Sequence, residues 1–228
     1  MTVERIVHHF PLDPASRLVR LALGEKRLAF GEVQERYWER NSQLASLNPS
    51  GLTPVLVEID GAEPVLVCET WAIIEHIEES EPEPGLLGRD AAERAETRRL
   101  LQWFDRKFND EVNGLLLHEK MEKRLLGRGA PDHANLRAGR DALRVHLAYI
   151  EKLLEARDWL NGRRLSLADF AAAAHLSVID YFGDIPWGDF RGVRTWYMKL
   201  KSRPCFRPLL ADRWPGLNPA AHYDDLDF

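Results

Sequence analysis

The sequence predicts a small α/β domain followed by an all-α helical bundle. Three observations carry that reading. Strand-like and helix-like segments alternate through the first eighty residues or so, a proline-rich stretch "EPEPGLLGRD" interrupts them, and beyond Asp90 no strand pattern returns. A chain of 228 residues is long enough for two such domains sharing a core. The expected boundaries are 1–80 for the α/β domain, 81–89 for a linker, 90–212 for the bundle and 213–228 for an extended tail.

Each element has its own signal. "RIVHHF" is a short apolar-rich strand, and from Ser16 onward Leu18 with Ala22 and Val19 with Leu23 form i,i+4 pairs of a helix. "LAFGEVQER" returns to an extended pattern, and "SQLASLNPSG" is a short helix closed by Asn, Pro and Gly. "TPVLVEIDGAEPVLV" reads as two strands about the turn Asp60-Gly61, because Asp-Gly favours the left-handed backbone of a tight hairpin. "ETWAIIEHIEES" is an amphipathic helix. In the second half "DAAERAETRRLLQWFDRKFNDEV" is a long amphipathic helix, and Leu143, Leu147, Ile150 and Leu154 make the stripe of another. The helix from Leu167 to Phe182 is apolar nearly all round and is expected at the centre of the bundle. Ser166 and Asp169 ahead of it form a capping box with Asp in place of Glu.

Composition excludes several classes. A net charge of −5 gives no basic surplus for nucleic acid. The start "MTVERIVHHF" lacks the cationic and apolar regions of a secretory signal, and the most apolar run, "DFAAAAHLSVI", is interrupted by Asp169 and His175 well short of a membrane span. Cys68 and Cys205 alone do not make a disulfide framework, so the chain reads as cytoplasmic. The eight histidines are scattered, and His8 and His9 face opposite sides of a strand, so no metal site is expected.

With these residues on the page, the chain resembles the glutathione transferase superfamily over nearly its whole length. "DPASRLVRLAL" resembles the turn into the family's first helix, and "LNPSGLTPVLV" its cis-proline segment, with Pro54 as that proline. "ETWAIIEHIEE" resembles the acid–hydroxyl pair opening its third helix, and "LSLADFAAA" the capping box of its buried helix. The resemblance implies a thioredoxin-like N-terminal domain, a helical C-terminal bundle and a glutathione site around Asp13, Ser16, Thr53, Pro54, Glu69 and Thr70. A cis-proline turns the Thr53 backbone toward an extended peptide, and Thr70 at a helix start suits a carboxylate. Pro54 as a plain turn residue and Thr70 as a plain cap remain open, and the fold can retain both without ligand.

Asp13 stands where the serine and cysteine classes of the family carry their activating residue. A serine hydroxyl donates to the glutathione thiolate and lowers its pKa; an ionised carboxylate has no proton to donate. At roughly 4 Å it would repel the thiolate by as much as ~4 kcal/mol in a partly screened site. The expectation is a vestigial site with no catalytic residue and no cofactor. Asp13 as a helix cap is the bland alternative, and Ser16 would be catalytic, with glutathione as substrate, only if the chain is a transferase or reductase with an atypical activating residue.

Within the superfamily, further residues resemble a bacterial branch that binds the tubulin-like division protein FtsZ. They are Tyr37 and Trp38 in "VQERYWERNSQ", His118, Glu119, Lys120, Lys123 and Arg124 in "LLLHEKMEKRLLGRG", and the ending "AAHYDDLDF". That resemblance implies a non-catalytic homodimer recruited to the division site, bundling or curving FtsZ filaments and linking them to septal cell-wall synthesis proteins through the tail. The partner-binding residues expected are Tyr37, Trp38, His118, Glu119, Lys120, Arg124, Asp227 and Phe228, with Lys123 and Arg128 adding positive charge. Trp38 packing over its own helix, and a charge run that is only a solvated face, stay open.

Overall fold

The computed structural model describes residues 3–40, 42–61 and 63–226. The chain divides into two compact units, one of residues 1–85 with 204–212 and one of residues 86–203 with 213–228.

The first unit is a four-stranded mixed sheet with helices. Strand β1 (Glu4–His9), strand β2 (Gly31–Gln34), strand β3 (Val55–Ile59) and strand β4 (Val65–Cys68) lie in the order β2-β1-β3-β4. β1 runs parallel to β2, with Ile6 opposite Gly31, and antiparallel to β3, with Ile6 opposite Val57; β3 and β4 form the hairpin expected around Asp60-Gly61. Helix α1 (Pro14–Glu25) crosses from β1 to β2, helix α2 (Ser42–Leu47) precedes β3, and helix α3 (Thr70–Ser80) follows β4. Strand alternation seats Val7 and His9 in the core and leaves His8 half-buried against Glu35, 2.8 Å from Nδ1. A buried ion network joins the layers: Arg5 pairs with Glu58 at 2.7 Å, and His76 meets the other Glu58 oxygen at 2.6 Å.

Residues 204–212 belong to this unit rather than to a continuous 90–212 bundle, and the break falls at 85–86 rather than across 81–89. The reason is polar as well as steric. Arg17 and Arg20, both buried on α1, reach Asp212 at 3.3 and 2.8 Å, and Arg20 also pairs with Glu32 at 2.7 Å. Gly24 leaves room for Cys205: a Cβ at that glycine would stand 3.0 Å from the Cys205 Cβ.

The second unit is helical. Residues 91–125 form one rod, α4, which is α-helical over Ala91–Gln102 and widens to π-helix over Trp103–Asn113 and His118–Glu122. Helix α5 (His133–Leu154), helix α6 (Leu167–Tyr181) and helix α7 (Arg191–Lys201) complete the bundle; a short helix α8 (Arg207–Leu210) lies in the returning segment of the first unit. α6 is buried along its full length, as its apolar composition demands. The capping box forms, with Asp169 accepting from Ser166 N–H and Oγ–H at 2.9 Å each. Gly139 lets α5 approach α4 closely, since a Cβ there would stand 2.8 Å from Leu116 Cγ. No helix among the described residues is long and apolar enough to cross a membrane.

Candidate functional site

In the first unit the structure gathers Asp13, Ser16 and Thr53. Proline at the first position of α1 presets the helix and has no N–H to satisfy, so Asp13 sits at the N-cap in extended conformation. Its Oδ1 accepts from Ala15 N–H at 3.2 Å. Its Oδ2 accepts from Ser16 N–H at 3.0 Å, Ser16 Oγ–H at 2.6 Å and Thr53 Oγ1–H at 3.2 Å. Burial pushes the Asp13 carboxyl above the usual range, against the pull of these donors.

The Ser16 hydroxyl is consumed by this arrangement. It is fully buried, it accepts from Phe10 N–H at 3.3 Å, and its single proton lies on Asp13. No second proton exists for a ligand thiolate. The helix-cap role weighed for Asp13 is therefore its role, and it holds Ser16 as well.

The Thr53–Pro54 peptide is cis, as the resemblance implies. Glu69, at the N-cap of α3, stands at φ +70°, a conformation that non-glycine residues adopt at a cost. Asn48 ties it to the loop ahead of Thr53, donating from Nδ2 to Glu69 at 3.2 Å and to Leu52 O at 3.0 Å. Thr70 opens α3.

Tyr37 and Trp38 form a single turn of 3₁₀-helix, Tyr37–Glu39. Both rings are half-buried and meet Phe10 edge-on, with centroids 5.8 and 5.1 Å away. Trp38 is thus held on the buried Phe10 next to β1.

The charged cluster of the second unit is more internal than its sequence suggests. Glu119 is 1% exposed, and its carboxylate accepts from Asp132 N–H at 2.7 Å, Asn135 Nδ2 at 2.8 Å and Lys123 Nζ at 2.6 Å. Those partners pull its pKa down to about 2. Expected as a contact residue, Glu119 instead anchors the turn that joins α4 to α5. Lys120 is likewise engaged, with Phe182 O at 3.1 Å and Asp184 at 2.5 Å, and His118 pairs with Glu122 at 2.8 Å. Arg124 and Arg128 are exposed. Asp227 and Phe228 lie outside the described residues.

Two polar clusters were missed from the sequence. One is the Arg17, Arg20, Glu32, Asp212 group, beside which His9 is buried, its pKa lowered to about 3 by burial first and then by Arg20 and Arg17. The other centres on Asp180, an acid in a helix read as apolar nearly all round; that charge was the available signal. Among the described residues no group of His, Cys, Asp or Glu is placed to hold a metal ion.

Comparison with known proteins matches this geometry. Residues 14–80 fit the family model for the glutathione S-transferase N-terminal domain, and residues 115–204 that for the glutathione S-transferase C-terminal domain. The chain is 75% identical to FtsZ-localized protein A of Caulobacter vibrioides (strain NA1000 / CB15N), covering 100% of both sequences. It superposes on the solved structure of FzlA from C. crescentus with a TM-score of 0.98, at 76% identity over 99% of this chain and 100% of that one. A solved glutathione S-transferase from Rhodospirillum rubrum F11 is 51% identical, with a TM-score of 0.95 over 98% of this chain and 100% of that one. With the cis-proline, the capped first helix and the boxed central helix all in their places, this chain belongs to the glutathione S-transferase family.

Proposed function

We propose that this chain is a non-catalytic, dimeric division protein that binds FtsZ filaments at the division site, bundles or curves them, and links them through its C-terminal end to septal cell-wall synthesis. The observation that carries the reading is the 75% identity to FtsZ-localized protein A across the whole of both chains. The polar end of α1 supports its non-catalytic half, because the Ser16 and Thr53 hydroxyl protons, which could have stabilised a thiolate, both lie on Asp13. In this reading glutathione is not a cofactor. Trp38, Tyr37, Arg124 and Arg128 offer the half-buried aromatic anchors and exposed guanidinium groups that suit an acidic partner surface. The test is co-sedimentation with GTP-assembled FtsZ: the protein enters the filament pellet at micromolar concentration. Intact filaments pelleting without it would end the proposal.

The likeness to the R. rubrum protein favours a second reading, a glutathione-dependent transferase or reductase. The two readings part at position 13. On the non-catalytic reading Asp13→Ser keeps the helix cap, removes the carboxylate and raises glutathione affinity at least 10-fold in titration calorimetry, from a wild type that binds weakly. Tight wild-type binding with turnover, lost in Asp13→Ser, would favour the enzyme.

A further inference from the structure

We infer that residues 213–226 form a releasable strap, latched to α6 and α7 of the second unit by Lys201 and His222 around one buried carboxylate, Asp180. The inference deepens the reading above, resting on it for the chain end as a recognition element: the latch decides how firmly residues 213–226 are held.

The strap has no regular secondary structure apart from a bridge between Trp214 and Leu217. Leu217 and Tyr223 are its buried apolar anchors. Tyr181, the last residue of α6, holds its middle twice, donating its hydroxyl to Leu217 O at 2.6 Å and accepting from Ala220 N–H at 2.7 Å. The Tyr223 ring stands edge-on to Tyr181, with centroids 5.0 Å apart.

The polar latch lies at the strap's far end. Asp180 is fully buried and accepts from Trp187 Nε1 at 2.9 Å and from Tyr197 Oη at 3.3 Å, both bundle residues. His222 of the strap reaches the same carboxylate with Nε2 at 2.9 Å. Lys201, fully buried at the end of α7, stands 3.7 Å from Asp180, donates to Asp225 O at 2.6 Å and lies 5.6 Å from the centroid of the Tyr223 ring. A buried ammonium needs both a counter-charge and acceptors. Asp180 supplies the first; the strap supplies an acceptor and the roof. Arg213 closes the strap on itself, pairing with Asp224 at 2.5 Å. An irregular segment whose polar latch closes on one shared carboxylate opens locally before the helices beneath it.

The experiment is amide hydrogen exchange on the full chain, read by mass spectrometry, for wild type, Lys201→Met and His222→Gln, with filament co-sedimentation on the same preparations. Lys201→Met is expected to raise exchange across 213–226 at least 100-fold while α6 and α7 keep wild-type protection. His222→Gln, which leaves the buried ammonium in place, is expected to raise it about 10-fold. Pelleting with filaments is expected to be unchanged in both variants. A strap that stays protected in both variants, or that exchanges only in step with α6 and α7, overturns the inference. Failure of the wild type to pellet would instead remove the functional reading and leave the exchange result standing.

Discussion

Replacing Asp169 by alanine is expected to lower the unfolding free energy by about 4 kcal/mol, because four buried donors lose this acceptor at once. Besides the two bonds from Ser166, the carboxylate accepts from Leu160 N–H at 2.8 Å and Trp196 Nε1 at 2.9 Å, all at the start of the central helix α6. Each orphaned buried donor costs about 1–3 kcal/mol, and partial relaxation keeps the total below their sum. For a chain of this length the melting temperature should fall by about 10 °C. Asp169→Asn keeps one acceptor oxygen and should cost roughly half as much. Chemical denaturation followed by tryptophan fluorescence, with calorimetry alongside, checks both; a loss under about 1 kcal/mol for the alanine variant would show that the box is not what fixes α6.

The second large effect is acid sensitivity. His175 is buried in α6 with Nδ1 2.7 Å from Asn113 Nδ2, and burial lowers its pKa to about 3; His9 in the first unit is lowered to about 3 as well. A depressed histidine is neutral in the folded state while the unfolded chain takes up a proton near pH 6.5. Stability from this source is therefore complete above about pH 6.5 and declines as the pH falls toward 3. Between pH 7 and pH 5 each histidine should remove about 2 kcal/mol. Asp169 acts in the opposite sense: burial raises its pKa to about 6, so its protonation in the same interval returns about 1 kcal/mol. The expected net loss is about 2–3 kcal/mol, read from denaturant midpoints at pH 7, 6 and 5. His175→Leu should flatten the slope by about two-thirds, and an unchanged slope would refute the assignment.

Local chemistry explains what was legible in the sequence. The hairpin at Asp60-Gly61, the box at Ser166 and Asp169 and the helix start at Asp13-Pro14 each depend on residues a few positions apart, and each forms. The residues that went astray depend on distant partners. Glu119 sits in a charge run that reads as a solvated face, yet two of its three donors come from Asp132 and Asn135 beyond a loop. Asp212 looked like the end of the bundle; its place is set by Arg17 and Arg20 almost two hundred residues earlier. The widening of α4 to π-helix from Trp103 shifts which residues share a face, and no i,i+4 count along the sequence signals it. Asp13, Ser16 and Thr53, which the structure brings together, were named from sequence, but the direction of the Ser16 proton was not. That direction follows from three-dimensional closure of Phe10, Asp13 and Ser16.

The pairing of Asp212 with Arg17 and Arg20 bears on how the polypeptide is made and cut. The first unit begins at the amino terminus but is complete only when residue 212 has been synthesised, sixteen positions from the end of 228. A fragment ending at residue 85 would carry two interior guanidinium groups stripped of a shared counter-ion, a defect of the size that costs about 3–5 kcal/mol when one member of a buried pair is removed. Residues 1–85 are therefore not a separable module, and split versions divided at 85–86 should yield a poorly folded N-terminal piece.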